Sequence, residues 1–345
     1  MNKSNLVAGT AGPQVASGFY LRDNLVSKGE APSSGPFNRC PDIIQSDTEV
    51  ADPAVEFGAN DSWGQTYRTD PVPAAQNFYY VRSMNGGATR LGGMAALNWA
   101  PAQVFNFPSA WKSNRLETQD RAESVALAAQ PGFVAVGAEP FAWTPPALAD
   151  GATYFNFVAS LQAGATPVPP PAVASWVDLA SLISNPQYGF RNEALVSGSS
   201  GWIQRQLLTV PAGFAPADLN FMLLASGFTG ARVGLLADTF TPSGHAIMIA
   251  PTAVAGDGIV AGAPMPMEPG YTASVAVSCA LPAGVSLKPG STLVLVVTHP
   301  LQSAADFEQA MRAGVVRHIA TADQVGPTPV ALVATVTFTV GPNPV

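Results

Sequence analysis

The chain has 345 residues, of which only 11% are charged, and its formal net charge is −7. An ordinary soluble domain has about 25% charged residues, so much of this surface must consist of uncharged side chains and backbone. The few cations are scattered and form no basic patch that could neutralise phosphates, so we expect no nucleic-acid partner. No apolar run reaches the roughly 18 residues of a membrane-spanning helix, and no transmembrane helix is predicted.

Glycine and proline each occur 32 times, and this density of proline disfavours long helices and central strands. The aromatic content of 9% favours packed cores over disorder. Many short strands joined by turns satisfy both observations. The sequence therefore predicts an all-β fold of two β-sandwich domains, Ig-like or jelly-roll-like, with one or two short helices.

A change in composition near residue 197 divides the chain. Five of the six tryptophans precede this point, whereas the later part is rich in Ala, Val, Gly, Thr and Leu. The sequence Ser197-Gly198-Ser199-Ser200-Gly201 has the composition of a flexible linker. We therefore expect a first domain over 1–197, with a long N-terminal arm and one amphipathic helix, and a second, weakly charged domain over 202–345.

The first half alternates strand-forming segments with turns. A strand at 77–82 is followed by Asn85-Gly86-Gly87, which is typical of a hairpin turn, and the return strand is expected at 94–99. Apolar residues at helical spacing between Pro171 and Pro186 indicate an amphipathic helix that covers the first domain. Further strands are expected at 19–22, 124–128, 133–136 and 154–159.

The second half contains seven strand-like segments. The last of them alternates Thr with apolar residues from Thr335 onward, which predicts a strand with one polar face. A helix is expected at 303–313, where Ser303 can cap the first turn and Asp306 takes the capping-box position. The seven strands are expected at 204–210, 220–225, 231–237, 245–250, 274–281, 291–299 and 332–340.

No arrangement of residues predicts catalysis or metal binding. The three histidines are widely separated in the sequence, whereas metal ligands usually occur in close pairs. Gly198-Ser199-Ser200-Gly201 lacks the G-x-S-x-G spacing of a nucleophile elbow. We expect no enzymatic activity, no cofactor and no metal. A pair of carboxylates that only folding brings together, such as Glu123 and Glu139, stays open as an alternative.

The two cysteines, Cys40 and Cys279, lie far apart in the chain. Cys279 shares a predicted strand face with Val275 and Val277, which indicates a buried small apolar residue. Two cysteines in a chain of this length do not form a disulfide framework. We therefore favour free, buried thiols over a disulfide.

The first nine residues lack the sustained apolar segment of a classical signal peptide. We expect the protein to be made in the cytoplasm. Any release would then follow a non-classical route, occur by lysis, or take place as part of a larger particle.

Part of the first half resembles a recurrent bacterial module. The residues concerned are Asn77-Phe78-Tyr79-Tyr80-Val81-Arg82, the turn Asn85-Gly86-Gly87 and the strand Ala96-Leu97-Asn98-Trp99-Ala100, preceded by Cys40-Pro41-Asp42-Ile43-Ile44. This pattern resembles the CARDB-type Ig-like adhesion modules of exported bacterial proteins, over about residues 37–160. The resemblance implies an Ig-like sandwich and no catalytic residues.

The segment 263–270 is rich in Met and Pro, which predicts an exposed contact loop that proline stiffens. We expect Met265, Met267 and Tyr271 near the centre of an association surface, because the second domain carries little charge to desolvate. The predicted function is that of a non-enzymatic structural or interaction protein. It would self-associate or form part of a bacterial or phage-derived assembly, with itself or other protein subunits as partner.

Two weaker alternatives are a secreted pore-forming toxin and a carbohydrate-binding module. The Thr and Val alternation over 335–340 could form membrane hairpins. Carbohydrate binding would need at least two exposed, coplanar tryptophans, whereas we expect most of them to be buried. The tryptophans concerned are Trp63, Trp99, Trp111 and Trp143.

Overall fold

The computed structural model of the protein describes residues 6–8, 14–33, 38–59, 61–67, 69–148, 151–162, 169–319 and 328–342. Strands make up 44% of it and helices 10%, which confirms the all-β prediction. No helix in these described ranges is long and apolar enough to span a membrane.

The first half contains fourteen described strands, most of them short. They are β1 (Leu6–Ala8), β2 (Gln14–Val15), β3 (Phe19–Tyr20), β4 (Glu30–Ala31), β5 (Ile43–Ser46), β6 (Asn77–Asn85), β7 (Leu91–Pro101), β8 (Glu117–Thr118), β9 (Val125–Ala129), β10 (Val134–Val136), β11 (Phe141–Trp143), β12 (Phe155–Gln162), β13 (Tyr188–Arg191) and β14 (Glu193–Val196).

The strands of the second half are longer. They are β15 (Trp202–Thr209), β16 (Ala217–Ser226), β17 (Arg232–Ala237), β18 (Met248–Ala253), β19 (Gly258–Met267), β20 (Thr272–Ala280), β21 (Thr292–Pro300), β22 (Val316–Ile319) and β23 (Thr328–Val340). The described helices are α1 (Pro53–Gly58), α2 (Pro108–Trp111), α3 (Trp176–Ile183) and α4 (Ala304–Ala313), with a 3-10 turn at Ser62–Gly64.

Two sheets of the first half pack face to face. One has the order β10-β6-β11-β8, with β3 and β5 also paired to β6, and the other has the order β13-β12-β7-β9. Tyr79, Leu97 and Phe157 fill the space between the two sheets, and all three are buried. The arrangement is that of a β-sandwich.

The predicted hairpin between β6 and β7 is wrong, because the two strands belong to different sheets. Residues Asn85 to Gly87 instead turn the chain from one sheet to the other. The Asn85 side chain holds this corner: its amide donates to the Ala129 carbonyl at 3.0 Å and its oxygen accepts from the Gly87 N–H at 2.8 Å. Glycine is needed at Gly86, since a Cβ there would lie 2.5 Å from the Ala16 carbonyl oxygen.

Two further sheets pack face to face in the second half. One has the order β1-β22-β23-β21-β16-β19, with β14 also paired to β23, and the other has the order β15-β20-β17-β18. Leu219, Leu235 and Val277 belong to the buried apolar core of this half. This second sandwich also agrees with the predicted architecture.

Contacts between the halves cross the predicted boundary at 197. Strand β14 of the first half pairs in parallel with β23 of the second, and β1 pairs with β22. Within the stretch predicted as a flexible linker, Gly198 is buried, whereas Ser199, Ser200 and Gly201 are exposed. The Leu287 N–H donates to the Gly198 carbonyl at 2.8 Å, and a Cβ on Gly198 would lie 2.5 Å from the Leu287 carbonyl oxygen.

Helix α4 confirms its prediction. The Ser303 hydroxyl accepts from the Asp306 N–H at 3.0 Å, and Gly314 ends the helix in the left-handed conformation at φ 69°. Helix α3 also exists where it was predicted, and the Ser175 hydroxyl caps it. It contacts β23, α4 and β13, so it covers the seven-stranded sheet as well as the edge of the first sandwich. The predicted contact with the first half is thus present at β13, and the contacts with β23 and α4 lie beyond what was predicted.

The predicted contact loop at 263–270 is wrong for its greater part, because residues up to Met267 belong to β19. Among the described strands it pairs with β16 alone, and it forms one edge of the seven-stranded sheet. Pro264 and Pro266 point outward and Met265 and Met267 point inward, which is the alternation of a strand. Proline is tolerated here because the outer side of an edge strand needs no N–H donor.

The polar face of β23 is not exposed. Thr335, Thr337 and Thr339 are all buried, and residues of the first half contact this part of the strand. The Asn38 amide donates to the Thr335 carbonyl at 2.9 Å, and the Thr339 hydroxyl donates to the Glu193 carboxylate. The face that suggested membrane hairpins is therefore an interior contact between the two halves.

Candidate interaction surface

The three residues predicted at the centre of an interaction surface lie inside the protein. Met265, Met267 and Tyr271 retain at most 3% exposure and belong to the apolar core of the second sandwich. The Tyr271 hydroxyl donates to the Thr239 carbonyl at 2.8 Å, which satisfies its polar end. The prediction of these residues as an interaction site is therefore wrong, and any association surface must lie elsewhere.

The outer face of the four-stranded sheet β15-β20-β17-β18 is the strongest candidate in its place. Every second residue of these strands points away from the core, as the burial patterns of β15 and β20 show. We call this surface the outer sheet face. Its residues are Ile203, Arg205, Leu207, Arg232, Leu236, Asp238, Met248, Ser274, Ala276, Ser278 and Ala280.

Large apolar side chains are exposed on this face. Ile203 and Leu236 each keep 58% of their surface in solvent, and Met248 keeps 47%. Leu236 and Met248 are direct cross-strand neighbours, so their exposed surfaces are contiguous. Phe240, in the turn that joins β17 to β18, is 69% exposed. Exposed apolar groups are common singly, but several on one sheet face indicate a contact site.

A groove runs along β20, and Gly151 of the first half lies over one end of it, where its carbonyl accepts from the Ser274 hydroxyl at 2.9 Å. Strand β20 contributes only small outward residues there, including Ser274 and Ala276, between larger side chains on β15 and β17. The depression has a volume of about 270 Å³. Its lining residues are Gly151, Arg205, Leu236, Asp238, Ser274 and Ala276.

The two charges that line the groove have opposite sign and stand on opposite walls. Arg205 lies on β15, and Asp238 follows β17 on the far side of β20. The Asp238 carboxylate accepts from the Ser274 N–H at 2.9 Å, which fixes its position. The Arg205 backbone is fixed by the Thr153 N–H, which donates to its carbonyl at 3.0 Å. Both positions are thus held by hydrogen bonds, and both side chains are exposed.

The edges of the second sandwich are protected against strand pairing. The edge of β15 that faces away from β20 is covered, because its backbone pairs with residues 102–104 and with Thr153 of the first half. Strand β18 carries Pro251 within a bulge, and β19 carries Pro264 and Pro266. Prolines on edge strands remove donors that a second strand would need. The faces of this sandwich are thus better suited to association than its edges.

The cluster with the most buried charge is structural. Asp42 lies between Arg22 and Arg82, at 2.6 Å and 3.0 Å, and all three side chains are fully buried. The guanidinium groups donate onward to backbone carbonyls of Trp63 and Ser62 in the 3-10 turn. These bonds fix the turn to the first sandwich. The Pro-Asp-Ile sequence drew attention to Asp42, but spacing alone does not reveal its two partners.

Two clefts are larger than the groove, with volumes of about 390 and about 370 Å³. Both are lined in part by Glu193, which pairs with Arg39 at 3.1 Å. In the second cleft Arg191 donates to the Ile43 carbonyl at 2.7 Å. The charged groups of both clefts are thus engaged by the chain itself.

One Ser-His-Glu group occurs in a turn of the second sandwich. The Ser243 hydroxyl lies 2.8 Å from Nδ1 of His245 and donates to the Glu268 carboxylate. Serine therefore stands between the other two residues, whereas a hydrolase triad needs histidine in the middle. The group closes the turn, and its hydrogen bonds lower the pKa of Glu268. Within the described ranges, no group of His, Cys, Asp and Glu side chains has the arrangement of a metal site.

The candidate carboxylates Glu123 and Glu139 are exposed, whereas the two thiols are buried. Glu123 pairs with Arg115 at 3.0 Å on the surface. Cys40 and Cys279 are free and buried, which confirms the preference for free thiols over a disulfide. Burial raises the pKa of the Cys279 thiol to about 11 and raises that of Cys40 further, so both are protonated at neutral pH.

The tryptophans proposed for carbohydrate binding form no exposed flat surface. Trp111 and Trp143 are buried. Trp99 meets Trp143 at 5.4 Å with an angle of 44° between the rings, so the pair is not coplanar. Trp63 is covered on one face by Arg22. Trp63 and Trp99 are half-buried, so two of these four rings are buried, whereas the sequence predicted that most of them would be.

Comparison with known proteins adds no family. No family model matches the chain, and no curated protein matches it. Among solved structures, a transglutaminase of red sea bream is similar over 69% of this chain and 30% of its own length, with 11% identity and a TM-score of 0.16. The chain thus spans less than a third of that enzyme, and a likeness this weak bears on neither fold nor activity. The resemblance of 37–160 to CARDB-type modules stays a prediction.

Proposed function

We propose that this is a structural or interaction protein without enzymatic activity, which self-associates as a subunit of a bacterial or phage-derived assembly. Contact would be made through the outer sheet face. The observation that carries the proposal is the exposure of Ile203, Leu236 and Met248 together on one sheet face. The sequence did not predict that these residues are exposed. The alternation of side chains along a strand does not show which of its two faces the rest of the protein covers.

The energetic scale of such a contact is modest. Burying one exposed Leu, Ile or Met contributes about 1.5–3 kcal/mol, and association costs about 4–15 kcal/mol in lost freedom. A single contact through three such residues therefore gives weak binding. In an assembly each subunit makes several contacts, and their combination raises the overall affinity steeply. The proposal thus predicts association that depends strongly on concentration.

The low charge of the second half supports the same function. Over 202–345 the chain has only about a dozen charged residues. Few charged groups must lose water when two such surfaces meet, and few like charges oppose each other. The edge strands β18 and β19 carry prolines, which lack the N–H donors that an added strand would need. Association through a sheet face is therefore favoured over the addition of a strand at an edge.

Sedimentation velocity over a range of protein concentrations tests this function. We expect the parent protein to form dimers or larger species at high concentration and Leu236→Glu to remain monomeric under the same conditions. Ile259→Glu is the matched control, since Ile259 is an exposed apolar residue on a strand of the opposite sheet. A parent protein that stays monomeric at high concentration and physiological salt would contradict the proposal.

A further inference from the structure

A short segment of the first half lies on one end of the outer sheet face. We infer that this segment, residues 151–153, is a strap that covers part of the surface a second copy would bind, so that self-association requires its displacement. The inference rests on the proposed self-association and adds a control to it. It follows from the hydrogen bonds of the strap, from the glycine where it meets the face, and from its lack of large apolar side chains.

Hydrogen bonds to two neighbouring strands hold the strap. The Gly151 carbonyl accepts from the Ser274 hydroxyl of β20 at 2.9 Å. The Thr153 N–H donates to the Arg205 carbonyl of β15 at 3.0 Å, and the Arg205 N–H donates to the Thr153 hydroxyl at 2.9 Å. Because β20 lies beyond β15, the strap follows the outer edge of β15 and then reaches over this strand onto the face.

Glycine is favoured at the point where the strap meets the face. A Cβ on Gly151 would lie 3.0 Å from Cδ2 of Leu207 and 3.1 Å from the Cβ of Ser274, and its φ of 97° strains any side chain. Leu207 and Ser274 are cross-strand neighbours, and the backbone of Gly151 lies directly on both. A second copy cannot contact these two positions while the strap is in place.

The strap is held mainly by polar contacts. Its residues are Gly151, Ala152 and Thr153, so it offers little apolar surface to bury, and Thr153 is exposed. Segments with few apolar contacts and exposed hydrogen bonds open locally at a low cost in free energy. Opening would add Leu207 and Ser274 to the surface of Leu236, which is already exposed. A second copy that binds this larger surface therefore favours the open form.

Closure of the strap reduces the apparent affinity of each copy by the fraction of molecules that are open. Two-fold contacts are the commonest in homo-oligomers, and in such a pair both copies must open. The net contribution of one hydrogen bond changes the opening equilibrium of one strap about fivefold. Loss of the bond to Ser274 should therefore strengthen self-association at least tenfold.

Ser274→Ala removes this hydrogen bond and tests the strap. We expect the dimer dissociation constant, measured by sedimentation velocity, to fall at least about tenfold, and hydrogen exchange of the Thr153 N–H to become faster. Ser278→Ala is the matched control, because it makes the same change on the same face of β20 and no described hydrogen bond joins Ser278 to the strap. Its dissociation constant should stay within about twofold of the parent value.

A disulfide tests the opposite change by holding the strap closed. The Cβ atoms in the double variant Gly151→Cys, Ser274→Cys would start 3.1 Å apart, and disulfides span about 3.5–4.5 Å, so a small shift allows the bond. We expect the oxidised double variant to associate at least about tenfold more weakly than the same protein after reduction. Mass spectrometry confirms the bond, and the native thiols Cys40 and Cys279 are both buried.

The outcomes separate the strap from the proposed function. If the parent self-associates and Leu236→Glu is monomeric, but neither Ser274→Ala nor the redox state of the double variant changes association, the inference is overturned and the proposed function stands. Stronger association of Ser274→Ala without faster exchange at Thr153 also overturns the inference, because the strap then stays closed. If the parent, Ser274→Ala and the reduced double variant all remain monomeric at high concentration, the proposed function fails and the inference fails with it.

Discussion

The guanidinium of Arg22 lies over the ring of Trp63, with its central carbon 3.3 Å from the ring centroid. The same group donates to the Trp63 carbonyl at 2.7 Å, so the ring and the backbone of one residue are held together. Asp42 completes the arrangement by pairing with both Arg22 and Arg82. A single buried carboxylate thus balances two buried cations.

Asp42→Asn should therefore be strongly destabilising. The change leaves two buried guanidinium groups without a counter-charge, and breaking such a buried pair costs about 3–5 kcal/mol. Urea unfolding followed by tryptophan fluorescence measures the loss. Asp52→Asn is the control, since Asn can replace this exposed cap of α1 and the cost should stay below about 0.5 kcal/mol. Equal stabilities of the two variants would contradict the assigned role.

Burial makes Asp23 sensitive to pH. Its pKa is raised from 3.8 to about 6, chiefly by loss of solvation, while the Ser33 hydroxyl and Arg317 partly oppose the rise. The folded state therefore holds this proton more tightly than the unfolded state. Protonated Asp23 thus stabilises the folded state. This contribution is complete below pH 3.8 and is lost as the pH rises through about 6. The Asp23→Asn variant has no carboxyl group to deprotonate at this position. The free energy of unfolding of the variant minus that of the parent should therefore rise by up to about 3 kcal/mol between pH 4 and pH 7. Urea unfolding across this range measures it, and a constant difference would refute the assignment.

Met267→Ala tests the corrected position of β19. Met267 is fully buried, and truncating such a residue costs about 2–5 kcal/mol. Ile259→Ala on the same strand should cost less than about 1 kcal/mol, because Ile259 is exposed. Thermal unfolding of both variants gives the comparison. If Met267→Ala is as stable as the control, residues 263–267 form a loop as the sequence first suggested.

Gly198→Ala tests whether the segment between the halves is packed. The added Cβ would lie 2.5 Å from the Leu287 carbonyl oxygen, so backbone must shift, at a cost of about 1–3 kcal/mol. Gly213→Ala is the control, because nothing lies within 4 Å of its added Cβ. Its effect should stay within about 0.5 kcal/mol. Chemical denaturation distinguishes the two, and a neutral Gly198→Ala would indicate a loose linker.

Local signals in the sequence predicted local structure well. The cap at Ser303 and the alternation in β20 each depend on neighbouring residues, and both appear in the structure. The turn at Asn85 was also found, but its two strands joined different sheets. Which sheet receives a strand is decided by packing against distant residues such as Ala16, and no short-range pattern encodes that choice.

The misplaced interaction site has a similar cause. The order Pro264-Met265-Pro266-Met267 combines the composition of a stiff loop with the period of a strand, and the structure follows the period. Edge position reconciles the two, since it tolerates proline and still buries every second residue. The outer sheet face was missed because its small residues on β20 only form a groove once β15 and β17 lie on either side.

The position of β23 constrains how the protein can fold during synthesis. Strands β14, β21 and β22 all pair with it, although it follows all of them in the chain. The earlier strands must wait with open edges until residues Thr328–Val340 leave the ribosome. Strand β1 waits longest, because β22, its partner, is itself aligned on β23. Such distant pairings make folding slow and leave nascent chains prone to aggregation, so ribosome-bound fragments that stop before β23 should be far more sensitive to protease than the released protein.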